Sequence, residues 1–277
     1  VAVRFHILGT AQDGGVPHIG CECGRCEAAR ADRGRRRRAA CAAIEGETGK
    51  TFLIEATPDF RAQAHALARA TKRPPLAVDA IAITHGHIGH YLGLAFLGEE
   101  AAHTTGMPVY GTPSVLRFLK GNKPWSHLVE RGEVELRTIV PGRAHAFDGC
   151  LVHAFLTPHR GADTDTVGFE IRGPSRTLVY VSDADVFPPE IVERIKDADV
   201  AVVDGTFHSP AELPHRDILA VRHPFVRDTV ERLAGARGEV HFTHLNHTNP
   251  LVDPDAPEAA ALPRGFHVAR DGDVFDL

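Results

Sequence analysis

The apolar run that ends at Thr84 is followed at once by His85, His87 and His90, three imidazoles within six residues. Two histidines separated by one residue cannot share a helix face, but in a turn they can converge on one ion. His90 stands at the entry of a helical pattern running from His90 to His103 and points elsewhere in the same pocket. Three more apolar runs end in the same way. CLVHAFLTPHR leads out to His159, TLVYVSDAD to Ser182 and Asp183, and EVHFTHLNH to His244. Each places a nitrogen or oxygen ligand just past the carboxyl end of a strand, the edge on which layered α/β proteins build their sites. Imidazoles mixed with a carboxylate suit zinc, iron or manganese better than magnesium or calcium.

The rest of the chain supplies strands and helices for such a frame. VRFHIL, TFLIEA, AVDAIAIT, MPVYG, EVELRTIV, CLVHAFLT, TVGFEI, TLVYVS, DVAVVD and EVHFTH read as strands. Helical patterns cover 59–71, 90–103, 113–119, 188–196 and 224–234. Some strands follow one another through short Gly or Pro turns while others are separated by helices. That mixture predicts two sheets with helices outside, an αββα sandwich, in a single domain over residues 1–277.

Composition removes several function classes. The 31 basic and 36 acidic residues give a formal charge of −5, so no sign dominates as it would on a nucleic-acid or membrane-surface protein. No apolar run approaches the ~18–20 residues of a membrane span. The expectation is a cytoplasmic protein with a small-molecule substrate, no nucleic-acid or membrane partner, and a homodimer left open. The Arg35 to Arg38 run reads as a solvated charge block, with a site for an acidic substrate as the alternative. The 18 histidines and 5 cysteines point to a metalloprotein, because clustered thiols in a cytosolic chain bind metal more often than they pair.

The block THGHIGHYLGL, followed by His159, Asp183 and His244, resembles the metallo-β-lactamase superfamily. LGTAQDGGVPHIGCECGRC, NKPWSHLV, DTVGFEIRGP, DGTFH and FTHLNHTNP are similar to the branch that holds PQQ-biosynthesis protein B and the cyclic phosphodiesterase of phosphonate breakdown. The resemblance implies a metallo-β-lactamase-type αββα sandwich. It also implies a first metal on His85, His87 and His159, a second facing His90 and His244, and Asp183 bridging them. One position departs from the family pattern His-x-His-x-Asp-His, because Gly89 stands where the Asp is expected. The second position then keeps only His90, His244 and the shared Asp183, and is expected to be weakly occupied.

Cys21, Cys23 and Cys26 form a Cys-rich loop at residues 20–27 with the spacing of a structural zinc site that wants one more ligand. In the phosphodiesterase relative that ligand is a His three residues after the last active-site His, which implies His247 here. Cys41 and Cys150 read as small core residues. Asp59 either orients a metal-bound imidazole, joining Asp183 and His244 in the catalytic set, or caps a helix. Asp204 and His208 follow a strand and are candidates to line the pocket, as are Asp13 and His18 in the Gly-rich first loop. Trp125 is expected to pack.

The expected function is that of a metal-dependent hydrolase of a small-molecule ester or phosphodiester, using metal-activated water and one or two ions of zinc, iron or manganese beside the structural zinc. The alternative implied by the resemblance is an iron- and oxygen-dependent oxidase or hydroxylase of a tyrosine-like or peptide precursor.

Overall fold

A computed structural model defines the fold and describes residues 2–160, 163–212 and 223–277. The amino-terminal part supplies β1 (Arg4–Gly9), β2 (Cys41–Glu45), β3 (Thr51–Ile54), β4 (Ala80–Ala82), β5 (Met107–Gly111) and β6 (Val134–Thr138). The second sheet takes β7 (Ala144–Phe147), β8 (Cys150–Leu156), β9 (Val167–Arg172), β10 (Thr177–Val181), β11 (Val200–Asp204), β12 (Glu239–Thr243) and β13 (Phe266–Val268). The last strand, β14 (Val274–Asp276), returns to the first sheet beside β1, and each sheet therefore has seven strands.

Side chains from both sheets meet in the middle. Phe5, Ile7, Ile44 and Ile54 of the first sheet pack with Val152, Phe169, Ile171 and Tyr180 of the second. Each such burial is worth roughly 1.5–3 kcal/mol relative to exposure. Helices cover the outer faces. Phe60–Thr71 buries Phe60, Ala64 and Leu67, spaced as one helical stripe, against the first sheet. Pro189–Asp197 buries Ile191, Val192 and Ile195 against the second. The layers are those predicted from the order of elements.

Pairing directions put the ligand-bearing strand ends on one edge. β3 and β4 run parallel, and β1 is antiparallel to β2, which is antiparallel to β3, so β1 and β3 point the same way. In the second sheet β10, β11 and β12 are parallel, and β8 shares their direction because β9 opposes both β8 and β10. Among the described residues no helix is long and apolar enough to cross a membrane.

Two local expectations are corrected, and one core strand was not expected. The helix expected over 90–103 is a four-residue turn, Ile88–Tyr91, followed by the 3-10 segment Leu92–Leu97. Gly89, Gly93 and Gly98 weaken any longer helix, and a Cβ on Gly93 would run into Ala56, Thr57 and Phe60, so this segment is held tight against its neighbours. The Cys-rich stretch is not wholly loop, because Cys26 sits in the first turn of the helix Gly24–Ala31. Strand β2 was hidden by its alanines, and it is a strand because both of its faces are buried.

Two arginines of the run are tied into the fold, while Arg36 stays exposed. Arg35 pairs with Asp253 and Asp255, both at 2.7 Å. Arg37 donates to Thr10 Oγ1 at 3.1 Å and to the Ala269 carbonyl at 2.9 Å. These contacts stitch the first loop to the carboxyl-terminal segment.

Candidate metal centre

Overlapping groups of metal-type donors gather on the common edge, and a thiol group lies beside it. In the first group, His85 Nε2 and His159 Nε2 each lie 3.0 Å from His87 Nδ1. Asp183 Oδ2 is 3.6 Å from His85 Nε2 and 3.3 Å from His159 Nε2. Donors around a tetrahedral zinc at about 2.0–2.1 Å stand about 3.3 Å apart, so these four atoms fit the vertices of one coordination sphere. Burial, reinforced by neighbouring histidines, holds His85 and His87 below the ordinary imidazole pKa, which leaves them neutral with lone pairs available. Their outer nitrogens are fixed by partners. Thr84 Oγ1 meets His85 Nδ1 at 2.8 Å, and Asp185 Oδ1 meets His159 Nδ1 at 3.0 Å.

The second group shares Asp183. Its Oδ2 atom lies 3.7 Å from both His90 Nε2 and His244 Nε2, and Asp13 Oδ1 lies 3.4 Å and 3.7 Å from the same two nitrogens. Among the described residues, His90 Nε2 and His244 Nε2 are buried without a hydrogen-bond partner. Buried donors left open in this way are costly unless something binds them, and the donor set fits a second cation. The expectation that this end has no carboxylate of its own is therefore corrected, because Asp13 brings one from the first loop. His244 reaches inward from a left-handed backbone conformation, φ 58°, immediately after β12. Such a conformation costs a non-glycine residue on the order of 1–2 kcal/mol and is typical of positions fixed by function.

Glu55 escaped the sequence reading. It follows β3, is fully buried, and also has a positive φ, 78°. Its carboxylate accepts the Thr84 hydroxyl and lies 3.2 Å from His90 Nδ1, so it orients a histidine at each metal position. A lone charge ending the apolar run TFLI was the signal available. Asp59 fills neither of the two roles expected for its side chain. The Asp59 carboxylate accepts the Ala39 N–H at 2.9 Å, meets none of the site imidazoles among the described contacts, and makes no side-chain cap.

His223 was also missed. Its Nδ1 lies 2.8 Å from Asp204 Oδ2 and 3.4 Å from Asp183 Oδ1, while its ring lies 5.8 Å from that of His159 and 6.0 Å from that of His244. Asp204 thus lines the site as expected. His208 does not, since it lies with Val226, Arg227 and Leu262 in a separate hollow. His18 turns away from the site and packs on His247, with ring centroids 4.6 Å apart. Trp125 packs edge-on against Tyr91, and Cys41 and Cys150 are buried.

Cys21, Cys23, Cys26 and His247 form the group beside the edge. The three sulfurs stand 3.4, 3.9 and 3.8 Å from His247 Nδ1. A tetrahedral zinc with sulfur at about 2.3 Å and nitrogen at about 2.0 Å separates such atoms by about 3.6 Å. The donors fit that ion.

Two facing sheets with imidazoles and carboxylates converging at one edge define a metal-binding protein of the metallo-β-lactamase fold. Residues 50–259 match the beta-lactamase superfamily domain, and the chain belongs to that family. Coenzyme PQQ synthesis protein B of Azotobacter vinelandii is 29% identical, covering 99% of this chain and 100% of its own. Zn(2+)-bound PqqB from Methylobacterium extorquens superposes with a TM-score of 0.81 at 26% identity, over 99% of this chain and 100% of that one. A diphosphatase of the PhnP family superposes with a TM-score of 0.75 at 25% identity, over 100% and 98%.

Proposed function

We propose that the protein is a metal-dependent hydrolase of a small-molecule ester or phosphodiester, with His85, His87, His159 and Asp183 holding the ion. The observation that carries this reading is the set of donor separations, 3.0–3.6 Å, around a common centre. A divalent ion at that centre supplies Lewis acidity, lowering the pKa of a ligated water toward about 7 and drawing charge from the scissile oxygen. The protein's own groups do the remainder. Asp185 and Thr84 keep two of the imidazoles in the tautomer that presents a lone pair inward. Asp204 holds His223 at Nδ1 and favours the protonated ring, whose Nε2–H is the proton a leaving oxygen would take. The PhnP-family diphosphatase, similar over 98% of its length, supports hydrolysis at phosphorus.

A second reading has its own support, because the curated relatives carry the name coenzyme PQQ synthesis protein B. It makes the protein an iron- and oxygen-dependent oxidase or hydroxylase of a tyrosine-like or peptide precursor. Metal analysis of anaerobically purified protein, with phosphodiester turnover and oxygen uptake assayed on the same sample, separates the two. Ester turnover with zinc or manganese is expected. Iron with oxygen uptake on a tyrosine-like substrate, and no ester turnover, would overturn the hydrolase.

A further inference from the structure

Gly89 belongs to the short helix Ile88–Tyr91 and has no left-handed φ. Its backbone would accept any residue. What excludes a side chain is Asp13, since a Cβ built on Gly89 would overlap the Cβ and carboxylate of Asp13. The volume that an aspartate at 89 would fill is therefore already taken by an aspartate from another part of the chain. We propose that Asp13 is the transposed carboxylate ligand of a second active-site metal, completing a set with His90, His244 and Asp183.

The placement of Asp13 is built into the fold. Ala11 forms a parallel bridge with Leu245, the residue after His244. Gln12 N–H donates to the Leu245 carbonyl at 2.9 Å, and Leu245 N–H donates to the Thr10 carbonyl at 2.8 Å. Asp13 follows directly, in a tight turn closed by Gly15 N–H on the Gln12 carbonyl at 2.8 Å. A Cβ on Gly14 would overlap the His18 ring, so that ring packs close under the turn. His18 in turn packs, tilted, on His247 and gives its backbone N–H to Cys26 Sγ at 3.3 Å. The carboxylate is thus tied to His244 on one side and rests on the thiol cluster on the other. Its side chain stays 39% exposed, which leaves this position open to an exchanging ion.

The inference rests on the edge being a metal centre and is independent of the reaction performed there. Its test is calorimetric titration with Zn2+ of protein stripped of active-site metal, with metal analysis after dialysis. Wild type is expected to bind two ions beyond the one on the thiol cluster. Asp13→Gly and the isosteric Asp13→Asn should each weaken one of the two by at least about tenfold, because losing a ligand costs no less than losing a ligand's partner. The double variant Asp13→Gly with Gly89→Asp should restore it. Gly89→Asp alone should gain no affinity and should lose stability, because two carboxylates compete for one volume. Retention of both ions at wild-type affinity in Asp13→Asn would overturn the role of Asp13 alone. A wild type that binds no ion beyond the thiol cluster would overturn the metal centre itself.

Discussion

Glu55 and His90 meet at 3.2 Å with both side chains buried, and that contact holds the imidazole whose Nε2 faces Asp183 and Asp13. Glu55→Gln keeps the shape and removes the charge. The expected result is a loss of roughly 10- to 100-fold in active-site metal affinity, with the circular dichroism spectrum unchanged. Competition against a chelator measures it. Equal affinity in the two proteins would show that Glu55 serves the fold alone.

Ligands should separate cleanly from other histidines. His85→Ala, His87→Ala, His159→Ala and Asp183→Ala are each expected to remove most active-site metal while keeping the secondary structure. His103→Ala and His127→Ala, which lie outside both donor groups of the edge, should keep full metal content. Two or more of the first set retaining full metal would reject the site.

The thiol cluster is expected to hold one tightly bound zinc that survives His85→Ala and His87→Ala but is lost in Cys23→Ser. Folding stability should fall by several kcal/mol with it, because the binding free energy of a structural ion is folding free energy. Thiol titration of the native protein provides the control. Three freely reactive thiols at Cys21, Cys23 and Cys26, with no zinc present, would contradict the assignment.

Acid sensitivity should come partly from His241, on β12. Burial, and next to it the neighbouring His267, push its pKa down to about 4 from 6.5, against the weaker pull of Glu239. Below pH 6.5 the unfolded chain takes up this proton while the folded protein does not. Stability is therefore complete above that pH and declines as pH falls toward about 4, by on the order of 3 kcal/mol in all. His241→Phe, which can keep the packing on Phe275, should remove about 2 kcal/mol of the loss seen between about pH 7 and pH 5. Urea midpoints of both proteins at the two pH values test this. Parallel slopes would mean that His241 titrates alike in both states.

The sandwich and most of the residues that gather at the edge were legible because their signals are local. A β-rich run followed by His85, His159, Asp183 or His244 shows its ligand within a few residues of its strand, and the shared direction of these strands, parallel or through an intervening antiparallel neighbour, sends their ends to one edge. The thiol spacing from Cys21 to Cys26 is local in the same way, and His247 followed from its distance in sequence to His244. Asp13 was legible only as a general pocket candidate, and Glu55 and His223 carried marks too unspecific to assign. An aspartate in a Gly-rich turn, a glutamate closing a strand and a histidine after a loop have many uses, and only distance through space selects one. The Ala11 bridge to Leu245 brings Asp13 into the volume left by Gly89, and the end of β3 sets Glu55 against His90. Sequence by itself determined which donors the chain could offer. The tertiary structure decided which carboxylate stands at each position, because coordination depends on atoms within a few ångströms and not on the number of residues between them.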